Sequence, residues 1–333
     1  MALYEGESAS AHDLTNTSKK RAIARISIPA MAGISVGNRE SRSGLRPGLE
    51  IESEETLARI TGSGLDAAPL GPGSLTWKYF GDMRGNLLAL RAGVLQGMHP
   101  AIAAGLIDHS DFFENPLGRL ARSAGPIVGV VYDRDPAATG SWVRDQHPEI
   151  RGTDARGRSY HALDPDTYYW AHATFFEGMI RTREFFDRPL TRAEKEQLFR
   201  ESITWYARYG VSMRPVPEDY SAFERYWQRM FDEVLEPTRP AGEWVRRVRG
   251  IPAPPAWPDL AWRPVGPLVG IAGPWLTRVT LPEAARQMFG CEISRRDRLA
   301  FDAFRKSVRA TWRLVPSRFR MQPRVGAAAG ADS

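Results

Sequence analysis

Asp164-Pro165-Asp166-Thr167-Tyr168-Tyr169-Trp170-Ala171-His172-Ala173-Thr174-Phe175-Phe176 is the stretch on which the fold turns. Asp164 offers a side-chain oxygen to the free N–H groups of a helix start, and Pro165 stands at the first helical position, where its missing N–H costs nothing. A helix is expected over 165–186. Its aromatic run suits either an ordinary core or the wall around a flat apolar cofactor, and the pattern alone favours core.

Working outward, the same punctuation recurs. Asp135-Pro136 is a second acid–proline start. Thr191 with Glu194, and Ser221 with Glu224, have capping-box spacing. Helices are therefore expected at about 100–108, 110–124, 136–147, 191–209 and 220–235. Further ones are expected at Glu54 to Ile60, from Leu75 after the Gly71-Pro72-Gly73-Ser74 turn, and from Asp82 to Met98. The best short strand candidate is Ile127 to Tyr132. Between Pro237 and Pro282 the chain is dense in Pro, Trp and Arg, and it is expected to wrap the bundle as ordered loop. The class is mainly α, a single multi-helix domain over 56–290. A disordered extension is expected over 1–55 and a basic amphipathic tail over 291–333, with Gly326 to Ser333 frayed.

With 333 residues and 42% hydrophobic content the chain can bury a sizeable core. Cys291 is its one cysteine, which rules out an intramolecular disulfide and a thiolate zinc cluster. Met1 to Thr17 is polar and acidic without the apolar run of a secretory signal, and Arg91 splits the apolar stretch Leu87 to Leu95. A cytoplasmic protein is expected, without a membrane span.

The net charge is +6. From Glu292 to Arg324 ten Arg or Lys stand against three acids, an excess of seven that accounts for the whole net charge. Ile293, Leu299, Phe301, Phe304, Val308 and Trp312 recur at three- to five-residue steps there, as in an amphipathic helix. Such a helix packs on the domain or lies against an anionic membrane surface through 292–324. No patch elsewhere interleaves Arg with aromatics in a nucleic-acid motif, so no nucleic-acid partner is expected.

Five of the six histidines, His99, His109, His147, His161 and His172, lie within one 74-residue stretch. Neutral imidazole ligates zinc, copper and iron, and one buried histidine suffices for haem. The spacings match no His-Glu-x-x-His zinc motif and no pair four residues apart. His147 falls near the end of the helix after Asp135, and Arg151 shares its face if the helical turn continues past Pro148. Arg119 and Ser123 are one turn apart with Arg122 adjacent, and guanidinium groups suit carboxylate pairing.

The succession Gly81-Asp82-Met83-Arg84, His99-Pro100, Asp108-His109-Ser110, Asn115 to Ser123, His147 to Gly152, Tyr160 to Asp164 and Trp170 to Thr174 resembles the MpaB-like oxygenase family. That family includes fungal enzymes of mycophenolic acid biosynthesis and the rubber-cleaving latex clearing proteins. The resemblance implies an α-helical domain enclosing haem b, with dioxygen activated for attack on a carbon–carbon double bond. It implies His147 as the proximal iron ligand and Arg151 as its neighbour. Arg119, Arg122 and Ser123 would stand at the haem edge or distal pocket, and His172 would be a propionate or supporting partner. Rubber-cleaving members carry lysine where this chain has Arg122. Arginine stays charged and cannot serve as a labile iron ligand, so a small apolar substrate, isoprenoid or another alkene, is expected instead of a polymer. Asp108, Asp111 and Glu114 are the candidate acids or bases. Two other readings stand beside this one: a non-catalytic haem- or anion-binding helical protein, and a non-haem metal enzyme using His99, His147 and His172.

Overall fold

The computed structural model describes residues 53–114, 116–246 and 259–325. Residues 1–52, most of the expected extension, and the frayed end over 326–333 lie outside the described residues.

Helices dominate. In chain order they are α1 (Glu54–Ser63), α2 (Leu75–Phe80), a 3-10 turn (Met83–Leu88), α3 (Ala89–Gly97), α4 (Pro100–His109), α5 (Pro116–Tyr132) and α6 (Pro136–Arg144). A small antiparallel hairpin follows, β1 (Arg151–Thr153) and β2 (Ser159–His161), in which Arg151 pairs with His161. Next come α7 (Pro165–Phe186), α8 (Arg192–Ala207), α9 (Tyr220–Arg229), a π turn (Met230–Val234), α10 (Arg239–Arg246), α11 (Asp259–Thr280), α12 (Glu283–Met288) and α13 (Arg295–Thr311).

The expected start of α7 holds: the Asp164 carboxylate accepts from the N–H groups of Asp166 and Thr167, each at 3.1 Å. This helix runs through the middle of the bundle, meeting α2, α3, α8 and α13. Trp170, Phe176 and Ile180 are buried there, with Phe176 against Phe199 and Phe223 and Trp170 against Trp227. Burial of side chains this large contributes roughly 1.5–3 kcal/mol each, the dominant favourable term in such a core. Thr191 and Glu194 form the expected capping box at α8.

α7 also carries a charge into this core. Glu177 accepts from both terminal nitrogens of Arg91 at 2.5 and 2.8 Å and from Nε of Arg181 at 2.8 Å. Arg91 spends its own Nε on the Thr280 carbonyl at 2.9 Å. The arginine that interrupts an apolar run is thus a fully satisfied core group, which is what a buried charge requires.

Several boundaries differ from expectation. Ile127 to Tyr132 is not a strand but the last turns of α5, with Val130 and Val131 buried in the core. A short apolar run has no period that separates a strand from a buried helix, and the antiparallel packing of α5 on α6 decides it. The helix expected at 110–124 starts later, at Pro116. Asp219, not Ser221, caps α9 by accepting from Ala222 N at 2.6 Å, while Ser221 and Glu224 bind Arg192. The proline-rich segment expected as loop carries α10 and α11 on either side of residues 247–258, which lie outside the described residues. α11 continues as helix through Pro274.

The C-terminal segment is stitched to the domain. Phe301, Phe304 and Val308 of α13 pack with Phe186, Trp275 and Leu276 in a second apolar cluster. Beyond it, Met83 N donates to Arg320 O at 2.9 Å and Gln322 N to Gly81 O at 2.8 Å. Among the described residues no helix is long and apolar enough to cross a membrane.

Candidate functional site

α5 and α6 run antiparallel and are joined through Asp133 to Asp135, so the first turns of α5 lie beside the chain that leaves α6. This geometry brings Arg119 and His147 together. His147 follows the end of α6 at Arg144, and its Nδ1 lies 2.8 Å from the Val143 carbonyl. That carbonyl can only accept, so Nδ1 carries the proton and Nε2 keeps its lone pair. Burial lowers the His147 pKa, the two carbonyls of Val143 and Arg144 oppose this, and the charge of Arg119 lowers it further. The imidazole is therefore neutral at pH 7. Its ring stands edge-on to Tyr168 at 5.7 Å, on the first turn of α7. Nε2 makes no hydrogen bond among the described residues.

Arg119 is half-buried, and burial also lowers its pKa, against the attraction of Asp111. Its guanidinium has no hydrogen-bond or ion-pair partner among the described residues. A half-buried guanidinium without an acceptor is suited to an anionic guest. Arg122 is spent differently, on Asp111 at 2.6 and 2.7 Å in an exposed pair. Ser123 is exposed on the same helix.

Arg151 departs from expectation. The helix ends before Pro148, and Arg151 opens β1 with an exposed side chain, so it shares no helical face with His147. The proline and the His147 turn, whose carbonyl accepts from Ile150 N at 3.0 Å, redirect the chain. The backbone oxygen of Arg151 lies 3.3 Å from His109 Nε2, and Tyr160 of β2 donates to Asp108 at 2.6 Å. The loop that carries His147 is thereby latched to the end of α4, where Ile150 closes on Gly105. Asp108 is thus held by Tyr160, Asp111 by Arg122, and Glu114 is exposed.

His172 sits deeper. It is 2% exposed, its ring packed against Trp205 at 4.7 Å and Tyr206 at 5.1 Å, with Nε2 3.1 Å from Ser202 O. Burial lowers its pKa to about 3, and its Nδ1 is buried without a partner. One tyrosine layer separates it from His147: Tyr209 meets the ring of Tyr168 at 5.5 Å and that of His172 at 6.1 Å. His99 lies at the start of α4, its pKa lowered by burial to about 4. Among the described residues no three His, Cys, Asp or Glu side chains converge as a metal site would require, so His99, His147 and His172 do not assemble one.

Sequence reasoning missed the latch of Tyr160 on Asp108 and the close seat of α6. A Cβ at Gly140 would fall 2.2 Å from the Arg208 carbonyl oxygen, so α6 rests directly on the backbone at the end of α8. A glycine two turns before His147 was the available signal.

The fold and site define a helical-bundle domain in which one oriented imidazole, His147, and one arginine without a partner among the described residues, Arg119, lie near each other. Residues 77–310 match the family described as ER-bound oxygenase mpaB/B'/Rubber oxygenase, catalytic domain, and the chain belongs to that family of oxygenases. Two relatives, uncharacterized proteins of Mycobacterium bovis and Mycobacterium tuberculosis, are each 26% identical over 235 residues, which cover 68% of this chain and 88% of theirs. No solved structure matches the chain.

Proposed function

We propose that the chain is a haem b-dependent oxygenase that acts on a small apolar substrate, with His147 as the protein ligand to iron. The observation that supports this most is the free Nε2 of His147, its tautomer fixed by the Val143 carbonyl, within electrostatic reach of the unpaired Arg119. The donor set fits haem: one imidazole serves the iron, and a guanidinium without an acceptor serves a propionate. A site needing three protein ligands finds no such set among the described residues.

Haem, when bound, supplies an iron that activates dioxygen for attack on a carbon–carbon double bond. The chain's own residues prepare that site. The Val143 carbonyl holds the His147 proton at Nδ1 and orients the ring. Tyr168 packs against the ring in an edge contact and limits its rotation. Arg119 places a fixed charge for a carboxylate, and Asp111 holds Arg122 in an exposed pair. His172 keeps the base of α7 packed on α8 through Ser202.

Incubating the haem-loaded protein with apolar alkenes under isotopically labelled dioxygen tests the activity. Label in a carbonyl product, dependent on haem, supports the reading. Binding of haem without label in any product from an isoprenoid and alkene panel would leave a haem-binding protein and contradict the oxygenase.

A further inference from the structure

The segment from α13 to Met321 is fixed to the domain yet leaves apolar tips in water. Leu314 is 81% exposed and Phe319 is 58% exposed. Neither stands on a loose end. Arg320 donates to the carbonyls of Val315 and Arg313 at 2.6 and 2.9 Å, closing the turn that carries both. Trp312 lies under the Arg84 guanidinium at 4.9 Å, and backbone bonds join residues 320–322 to 81–83. On α13, Phe301, Phe304 and Val308 face the domain, and the helical period puts Arg295, Leu299 and Lys306 on the opposite side. Leu299 is 60% exposed there.

Cations flank these tips along the chain. Arg295, Arg296, Arg298, Lys306, Arg313 and Arg318 are exposed. Among the described residues the segment's ion pairs are Arg305 with Asp302 and Arg324 with Asp133, which leave those six without a carboxylate. Lys306, Arg309 and Arg313 line one shallow depression of about 420 Å³ together with Ala310. Arg309 is anchored there by two bonds to the last carbonyls of α7, from Glu184 at 2.6 Å and Phe185 at 3.1 Å.

Exposed aliphatic and aromatic tips interspersed with cations that have no carboxylate partner match the two layers of a bilayer interface, phosphates outside and acyl chains beneath. A nucleic acid would satisfy the cations and could stack Phe319, but it offers nothing to Leu299 or Leu314. We propose that residues 295–320 form a docking surface for an anionic lipid bilayer. Leu314 and Phe319 enter the acyl boundary, and Lys306, Arg309 and Arg313 receive lipid phosphates. This surface does not depend on the haem reading.

Co-sedimentation of the full chain with vesicles tests it, using pure phosphatidylcholine and phosphatidylcholine mixed with phosphatidylglycerol. Binding is expected to the mixed vesicles alone and to weaken as salt rises. Lys306→Glu with Arg313→Glu should weaken it roughly tenfold or more, and Leu314→Ser with Phe319→Ser should weaken it at unchanged net charge. Arg134→Glu with Arg225→Glu, the same charge change elsewhere, should leave it intact. No vesicle binding, an equal loss in the control pair, indifference to Leu314→Ser with Phe319→Ser, or tighter binding to duplex DNA at the same salt would each overturn the proposal.

Discussion

His147 lies 2.8 Å from the carbonyl of Val143, four residues before it, and this one bond decides which ring nitrogen is free. The bond depends on where α6 ends and on how firmly α6 is seated, so distant residues in the bundle control the candidate iron ligand.

Gly140 is the seat. An added Cβ meets the Arg208 backbone oxygen, which cannot yield as a side-chain end would. Gly140→Ala should cost about 1–3 kcal/mol and weaken haem retention by displacing His147. Urea unfolding and haem titration check both. Native stability with native haem affinity would contradict the account.

Arg91 and Glu177 form a buried ion pair in the core. Burial alone would raise the Glu177 pKa, yet Arg91 and Arg181 hold it below its ordinary 4.5. Arg91→Met should cost about 3–5 kcal/mol, because the buried carboxylate keeps only its bond from Arg181. Arg91→Met with Glu177→Met should recover much of that, because an apolar pair needs no compensation. Denaturant melts measure this, and a single-variant cost below about 1 kcal/mol would refute it.

Stability should fall as pH drops below 6.5. His172 and His99 stay neutral in the fold down to about 3 and about 4, while the unfolded imidazoles take up protons near 6.5. Between those values the unfolded chain binds more protons, so each imidazole removes up to roughly 1.4 kcal/mol per pH unit on acidification. The loss reverses fully above 6.5. Urea midpoints across this window should slope less in His172→Gln, and a flat wild-type profile would contradict the burial of these rings.

The long helix α7 was legible because its start is written locally, in Asp164 and Pro165. The α5 boundary was not, because Ile127 to Tyr132 has no period of its own and takes its form from α6. The proline-dense segment reads as loop because each proline is a local breaker, whereas α11 takes its form from packing on α3 and α10. At the site, His147 and Arg119 were legible as candidates through their motifs. Arg151 falls on a strand and not on a helix because, past the local turn at His147 and Pro148, it pairs with His161, a contact outside any local window. The partner of Asp108 was hidden for the same reason: Tyr160 lies on the far strand of that hairpin.

The visible absorption spectrum of the protein purified after expression with a haem precursor tests the central claim most directly. Spectra are taken oxidised, reduced, and reduced with carbon monoxide, for the native chain, His147→Ala, and His147→Gly with and without added imidazole. The account predicts one haem per chain, with a Soret band that shifts on reduction and with carbon monoxide. It predicts loss of haem in His147→Ala and recovery of the band in His147→Gly when imidazole is supplied. A colourless protein that refuses added haemin, or an unaltered Soret band in a folded His147→Ala chain, would contradict it.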